Sequence, residues 1–379
     1  MKMRKIQLIL IAVILGTTLI FSSVGKTVNI DERAFVHAMG IDGSDDGYEV
    51  SMQIFLPQGA GSDTPVDTAQ PNVQVMESTG KTVEDAIKKI QNKIGRKIFL
   101  GHLQMICLNK NVDFSKPENL FSFCMKDNNV YLGVKLCLAE NNAEEIMKTQ
   151  ITRGTTASEN FLDTIKMNVK KSTTIDCELI DFLSCVNSPE YIAIPVISVE
   201  NTENGGGSDE SSAENEQPEI AIKSTGIVKQ GKVLETQLDN DESEGVAWLT
   251  KKAENSDFTV LHNGEDVSVR LSQDGTGISL ENENGKLVYK AKIKVVANPS
   301  KDIVTKEESD DLSEEVEKRL EKITSKAVQK AMYENKADIF GIWKLLRHSY
   351  PESYLDYRNR LDEIYDNVEF EVGFDIRVQ

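Results

Sequence analysis

The closing run from Val368 to Val378 constrains the fold most. Val368, Phe370, Val372, Phe374, Ile376 and Val378 alternate with Glu369, Glu371, Gly373, Asp375 and Arg377. A strict period of two means a strand with one face buried and one wet. Upstream, Leu312, Val316, Leu320, Ile323 and Ala327 recur at three- and four-residue steps, so they fall on one face of a helix. Acids crowd its start (Glu307, Glu308, Asp310, Asp311, Glu314, Glu315) and bases gather later (Lys318, Arg319, Lys322, Lys326, Lys330), the polarity the helix macrodipole favours. An irregular connector, Ala337 to Pro351, joins the two. The expectation is one long helix laid on a sheet that includes the last strand.

At 379 residues the chain exceeds one ordinary core, so two or three domains are expected. Its net charge of −18 argues against nucleic-acid binding, which needs clustered Lys and Arg on phosphate. The same charge repels anionic headgroups, so lipid contact should come from an anchor. Lys2, Arg4 and Lys5 precede the apolar stretch Leu8 to Val24, which reads as an export signal or signal anchor. Seventeen residues span about 26 Å as a helix, marginal against a hydrocarbon core of about 30 Å, and cleavage after Gly25 is the alternative. Cys107, Cys124, Cys137, Cys177 and Cys185 lack CxxC spacing and sit mostly in apolar runs, so they read as small buried hydrophobes.

Ala34 to Ile41 and Tyr48 to Leu56 flank the turn cluster Asp42–Gly47 and predict a β-hairpin. Gln58 to Asn72 is an expected loop and Val73 to Glu77 a short strand. Thr82 caps an expected helix with Asp85 three residues on; Val83, Ala86, Ile87, Ile90 and Ile94 form its buried face and Gly95 ends it. Ile98 to Leu108 and Val130 to Ala139 read as strands, and Ala143 to Val186 as interrupted helix. Tyr191 to Val199 is a strand in which Pro195 demands an edge position or a bulge. Glu200 to Pro218, polar and free of aromatics, reads as a flexible linker or long loop.

Ala221 to Val228 and Lys232 to Leu238 are strands, and Asp241 to Trp248 a short helix. Val267 to Leu271, Ile278 to Glu281 and Leu287 to Ala297 are three further strands, the last two joined through Asn284-Gly285, a type I′ hairpin sequence. The fold class is therefore α+β: three consecutive mixed α/β domains behind an N-terminal hydrophobic signal or anchor, the C-terminal one an antiparallel sheet covered by a long helix. The expected divisions are residues 1–25 for the signal or anchor, 26–139 for the N-terminal domain and 140–200 for a partly helical middle domain. Residues 201–218 form the acidic linker and 219–379 the C-terminal domain.

No acid/base or nucleophile set emerges. His37, His102, His262 and His348 are scattered, without a second His or Cys at metal-ligand spacing, and no Gly-x-Ser-x-Gly elbow, Walker loop or dinucleotide fingerprint occurs. No metal and no cofactor are expected. His102 beside Gly101 reads as a packed or capping histidine ahead of a base. His348, next to Arg347 and Tyr350, reads as a surface or hinge residue ahead of a pocket residue. The cluster Asp310, Asp311, Glu314 and Glu315 reads as an acidic helix start ahead of a hard-cation site. Trp343 reads as core, or as an interaction anchor if partly exposed.

The order of segments resembles the Ger(x)C family, the C subunits of the nutrient germinant receptors of endospore-forming bacteria. Ile30-Asp-Glu-Arg-Ala-Phe-Val-His-Ala-Met-Gly-Ile-Asp42 is similar to the family's I-x-E-x-x-F-V-x-x-x-G-I-D. Gly80-Lys-Thr-Val-Glu-Asp-Ala86, Gly95-Arg-Lys-Ile-Phe-Leu-Gly-His-Leu103, Ile194-Pro195 and Thr225-Gly-Ile-Val228 follow in order. Ala337-Asp-Ile-Phe-Gly-Ile-Trp343 and Tyr350-Pro351 complete the set. The resemblance implies three α+β domains on the outer face of the spore inner membrane or cell membrane. It also implies A and B receptor subunits as partners, a part in nutrient-triggered germination, and no catalysis. The family's lipid-bearing cysteine is missing: Val24 stands where it is expected, so an uncleaved helix over Leu8 to Val24 is predicted to replace the lipid. Gly101, His102, Asp338, Gly341, Trp343, His348, Tyr350 and Pro351 are the candidate partner surface, since these irregular segments set Gly, Trp and His between regular elements. Rival readings are an extracytoplasmic ligand-binding component of a transporter, a secreted hydrolase, and a receptor paralogue used outside germination.

Overall fold

The expected hairpin is β1 (Arg33–Ser44) with β2 (Gly47–Phe55), antiparallel and closing at Ser44 and Gly47. The computed structural model describes residues 30–55, 73–126, 129–149, 157–186, 191–202, 217–229, 232–262, 264–284, 286–301, 303, 305–357 and 361–379. The signal or anchor at 1–25 and the loop Gln58 to Asn72 lie outside them. β3 (Val73–Gly80) flanks β2. Helix α1 (Val83–Ile94) begins where Thr82 Oγ1 accepts from the Asp85 amide at 3.1 Å and ends at Gly95.

The strand expected at Ile98 to Leu108 is two strands, β4 (Lys97–Phe99) and β5 (Met105–Asn109), both parallel to β1. β1 bulges between Val36 and Ala38, and residues 100–104 turn away opposite that bulge. β6 (Lys135–Ala139), β7 (Tyr191–Thr202), β8 (Gln217–Lys229) and β9 (Lys232–Leu238) complete a sheet ordered β3-β2-β1-β5-β6-β7-β8-β9, with β4 beside β1. Strands β8 and β9, grouped on sequence with the C-terminal strands, pair instead into this first sheet. Thr202 pairs with Gln217, so residues 203–216 of the expected linker, which lie outside the described residues, connect two antiparallel neighbours.

β7 is an interior strand, and Pro195 is accommodated by position: pairing with β6 starts only at Val196, and next to it β8 bulges, Val196 pairing with Ser224 and Ile197 with Ile222. One sheet face is covered by α1, α2 (Pro117–Lys126) and α5 (Leu179–Val186). The other is covered by α3 (Ala143–Lys148) and α4 (Ala157–Lys170). Cys107, Cys124, Cys137 and Cys177 are buried thiols outside any disulfide, and Cys185 is partly buried. Burial pushes the Cys137 and Cys177 thiols up, away from the reactive thiolate.

A second sheet is ordered β10 (Asn255–His262), β11 (Glu265–Glu283), β12 (Lys286–Pro299), β13 (Glu369–Val378). The first three are antiparallel, whereas β13 runs parallel to β12 from Val288–Glu369 to Ala297–Val378. A helical excursion separates β12 from β13 and returns the chain to the starting end, as a parallel crossover requires. Val267–Leu271 and Ile278–Glu281, read as two strands, are one: Asp274-Gly275-Thr276-Gly277 looks like a turn but forms a bulge between Gln273 and Gly275. The hairpin at Asn284 forms, with Glu283 opposite Lys286 and Asn284 at φ 53°.

Helix α7 (Lys306–Val328) starts in a capping box: Thr305 Oγ1 accepts from the Glu308 amide and Glu308 Oε2 accepts from the Thr305 amide. Leu312, Val316, Leu320, Ile323 and Ala327 are fully buried against Val269, Leu271, Ala291 and Ile293. The expected helix on a sheet is thus present. Between the two sheets lies α6 (Asn240–Leu249), capped by Asp239 and Glu242. Its Val246, Trp248 and Leu249 share a core with Tyr191, Ala193, Ile227 and Leu238 of the first sheet.

Glu244 on α6 is 6 % exposed. Its Oε1 accepts from Ser256 Oγ and from Trp248 Nε1, and Arg319 Nη2 stands 4.0 Å from Oε2. Burial outweighs these partners and holds the carboxyl pKa above its ordinary value. A raised folded value contributes stability that is full below the ordinary carboxylate range and is lost as pH rises. Glu244→Gln keeps an acceptor oxygen, so the variant should gain on the wild type steadily from acid to neutral pH. Urea midpoints across that range check this, and a constant difference at all pH values contradicts it.

Candidate functional site

The two segments singled out on sequence stand on different parts of the fold. The first begins where α7 runs into a π-helical turn, Gln329–Glu334, and Lys336 at φ 50° reverses the chain. Asp338 follows, 3 % exposed. Its Oδ1 accepts from the Ile342 amide at 2.9 Å and its Oδ2 from the Trp343 amide at 2.7 Å. Both amides open helix α8 (Ile342–Ser349), so Asp338 supplies the N-terminal cap from outside the usual capping position. Gly341 sits at the N-cap with φ 78°, a conformation that side chains rarely adopt, and so turns these amides toward the carboxylate.

Trp343 points inward, and its ring packs on Tyr354 of α9 (Pro351–Tyr357) at 4.2 Å. Arg347 lies over the Tyr354 ring at 5.8 Å. Phe340 packs on Phe370 of β13 at 5.2 Å. A last helix, α10 (Leu361–Asn367), leads into β13. His348 and Pro351 are exposed and Tyr350 is half-buried. Asp338, Gly341 and Trp343 therefore hold the connector in place, while His348, Tyr350 and Pro351 form its outer surface. Asp338 and Gly341 also line a cleft of about 300 Å³ whose opposite wall holds Asp176, Asp181, Tyr191 and Lys252.

The second segment is the turn between β4 and β5, where Gly101 and His102 are exposed. His102 stacks on His37 at 6.0 Å and meets Phe35 edge-on at 5.3 Å and Phe99 at 5.8 Å. The Arg33 guanidinium lies over Phe99 at 4.8 Å. Burial lowers the His37 pKa, the neighbouring His102 lowers it further, and Glu159 opposes both. His102→Ala should therefore move the His37 titration up, yet leave it below 6.5 because burial, the larger cause, remains. In the wild type this lowered value contributes stability that is full above pH 6.5 and lost on acidification. An NMR titration of the His37 ring protons checks the shift; an unmoved value contradicts the contact.

Among the described residues, no three His, Cys, Asp or Glu side chains are grouped to hold a metal ion. In the acidic start of α7, Glu314 and Glu315 pair with Lys318. A residue that sequence reading missed is Asp42, buried at the end of the Gly40-Ile-Asp42 motif. Its Oδ1 accepts from Asn109 Nδ2 at 2.7 Å and from the Ala143 amide at 2.9 Å, and its Oδ2 from the Glu144 amide at 3.0 Å. The motif thus caps α3, about a hundred residues downstream, a link with no local signature.

A nine-stranded mixed sheet joined through one buried helix to a four-stranded sheet, with signature motifs spent on helix caps and a packed connector, defines an α+β scaffold. Residues 26–199 match the family model described as "Spore germination protein N-terminal domain". Residues 223–379 match the one described as "Spore germination B3/ GerAC like, C-terminal". The chain belongs to the Ger(x)C family of spore germination proteins. It is 22 % identical over 361 residues to spore germination protein KC of Bacillus subtilis (strain 168), covering 89 % of this chain and 86 % of that one. The crystal structure of the GerBC protein is similar in fold, with a TM-score of 0.53, 17 % identity, and 90 % of this chain and 96 % of that chain covered. Among the described residues no helix is long and apolar enough to cross a membrane, and Leu8 to Val24 lies outside them.

Proposed function

We propose that this chain is the non-enzymatic C subunit of a germinant receptor, acting beside an A and a B subunit in nutrient-triggered germination. The observation that carries the reading is the succession of the two spore-germination domain models along one chain, at 26–199 and 223–379. The subunit stands on the extracytoplasmic face of the spore membrane, held by the uncleaved Leu8 to Val24 segment where Val24 replaces a lipid-bearing cysteine. Its partner surface comprises the exposed Gly101 and His102 and the outer side of the connector at His348, Tyr350 and Pro351. Asp338, Gly341 and Trp343 act beneath that surface by fixing its shape.

Purification of the tagged full chain from detergent-extracted spore membranes tests this. The two integral-membrane subunits should copurify, and the pair His102→Ala with His348→Ala, both at exposed positions, should weaken their recovery while the melting temperature holds. Recovery of the chain alone and without detergent would contradict both the partnership and the anchor. The cleft beside Asp338 favours one other reading, a ligand-binding component of a transporter. A melting shift of the chain with an amino acid, sugar or nucleoside would support that reading instead.

A further inference from the structure

Four cations of this acidic chain meet at one cavity. A cavity of about 390 Å³ at the start of β1 and β4 is lined by Arg33, Lys88, Lys97 and Lys126, with Glu84 the single carboxylate among its described lining residues. Glu84 is shared: it pairs with Lys88 at 3.0 Å and with Lys126 at 2.6 Å. Arg33 and Lys97 take part in none of the described ion pairs. They are also direct cross-strand partners in the parallel β1–β4 ladder. Like charges placed directly opposite one another on neighbouring strands destabilise a sheet. The fold therefore sets two cations that have no carboxylate partner among the described ion pairs side by side at a cavity mouth, Arg33 resting on the Phe99 ring. The cavity floor is apolar (Ile87, Ile98, Phe123), which lowers the local dielectric and strengthens any ion pair formed there.

We propose that this cavity binds a phosphate group, with Arg33 and Lys97 as its principal contacts and Lys88 and Lys126 at its rim. The excess of three positive charges among the described lining residues suits phosphate better than a single carboxylate, and Arg33 can donate two parallel hydrogen bonds to phosphate oxygens. The phosphate comes either from a free phosphate monoester or from the headgroup of an anionic phospholipid. The second source rests on the anchored reading above. Arg33 follows Val24 by nine residues, which reach at most about 30 Å when extended, so the cavity stays near the bilayer surface if Leu8 to Val24 spans it. The site would give a protein of net charge −18 a local means of meeting a surface that otherwise repels it.

The test uses the full chain in nanodiscs of zwitterionic phosphatidylcholine, with glycerol 3-phosphate as the soluble probe and lysine acylation read by mass spectrometry. The probe should protect Lys97 and Lys126 from acylation. The double variant Arg33→Gln with Lys97→Gln should weaken probe binding at least about tenfold, the loss expected for charge-assisted contacts. Lys97→Gln alone, which leaves Arg33 on the Phe99 ring, should hold or raise the melting temperature without probe, because a like-charge pair has been removed; a structural role of Lys97 would lower it. Lys126→Gln, at an exposed position, serves as a second variant with a smaller loss. In nanodiscs of phosphatidylglycerol, protection without any probe would assign the phosphate to the lipid headgroup. Protection by the soluble probe alone would assign it to a free monoester and leave the anchor untouched. Unprotected Lys97 under both conditions, or equal binding by the double variant, would overturn the proposal.

Discussion

Asp338→Ala should lower the stability of the chain by about 2–3 kcal/mol, the sum expected for losing a helix cap and a charge-assisted bond to a buried amide. The carboxylate accepts from the Ile342 and Trp343 amides, and the site is 3 % exposed, so water cannot take over both bonds. Releasing the start of α8 also loosens Trp343 from Tyr354 and Phe340 from Phe370. Asp338→Asn keeps one acceptor oxygen and should lose about half as much. Urea denaturation of the three proteins measures this. An Ala variant within about 0.5 kcal/mol of wild type, the range of ordinary surface substitutions, would show that the cap does not hold the connector.

Gly245→Ala should cost about 3 kcal/mol, the upper range for overpacking a well-packed core. A methyl group at residue 245 would fall within contact distance of the Ile323 carbonyl and 2.8 Å from Ala327 Cβ. Helices α6 and α7 touch there through backbone, so the obstacle cannot rotate away as a side chain would. The two helices would have to separate, opening the core around Trp248, Leu320 and Ile323 that joins the sheets. A drop in both the melting temperature and the near-ultraviolet signal of Trp248 checks this. A stable variant with an unchanged signal would mean that α6 and α7 pack more loosely than the geometry requires.

Local patterns were legible in the sequence and distant pairings were not. The period of Leu312 to Ala327 and the alternation of Val368 to Val378 survive in α7 and β13 because each reports a single element against a single core. Thr82 with Asp85 was readable as a cap for the same reason. β5 is buried on both faces, so its Met105-Ile-Cys-Leu-Asn109 run shows no alternation that would give its parallel pairing. β10 was missed because it buries Ser256 and His262 and turns Leu261 outward, inverting the usual pattern. Asp42 and Arg33 illustrate the limit at the sites: their meaning depends on Ala143 and on Lys97, which only the folded sheet brings near. Asp338 and Trp343 were singled out on sequence for a surface, and the fold places both beneath it.

Nutrient germination of spores that lack this chain tests the central claim most directly, scored by dipicolinate release with a non-nutrient trigger as control. Membership of a germinant receptor predicts loss of response to one class of nutrient, with the control response intact and recovery on restoring the wild-type chain. An unchanged response to every nutrient would contradict it.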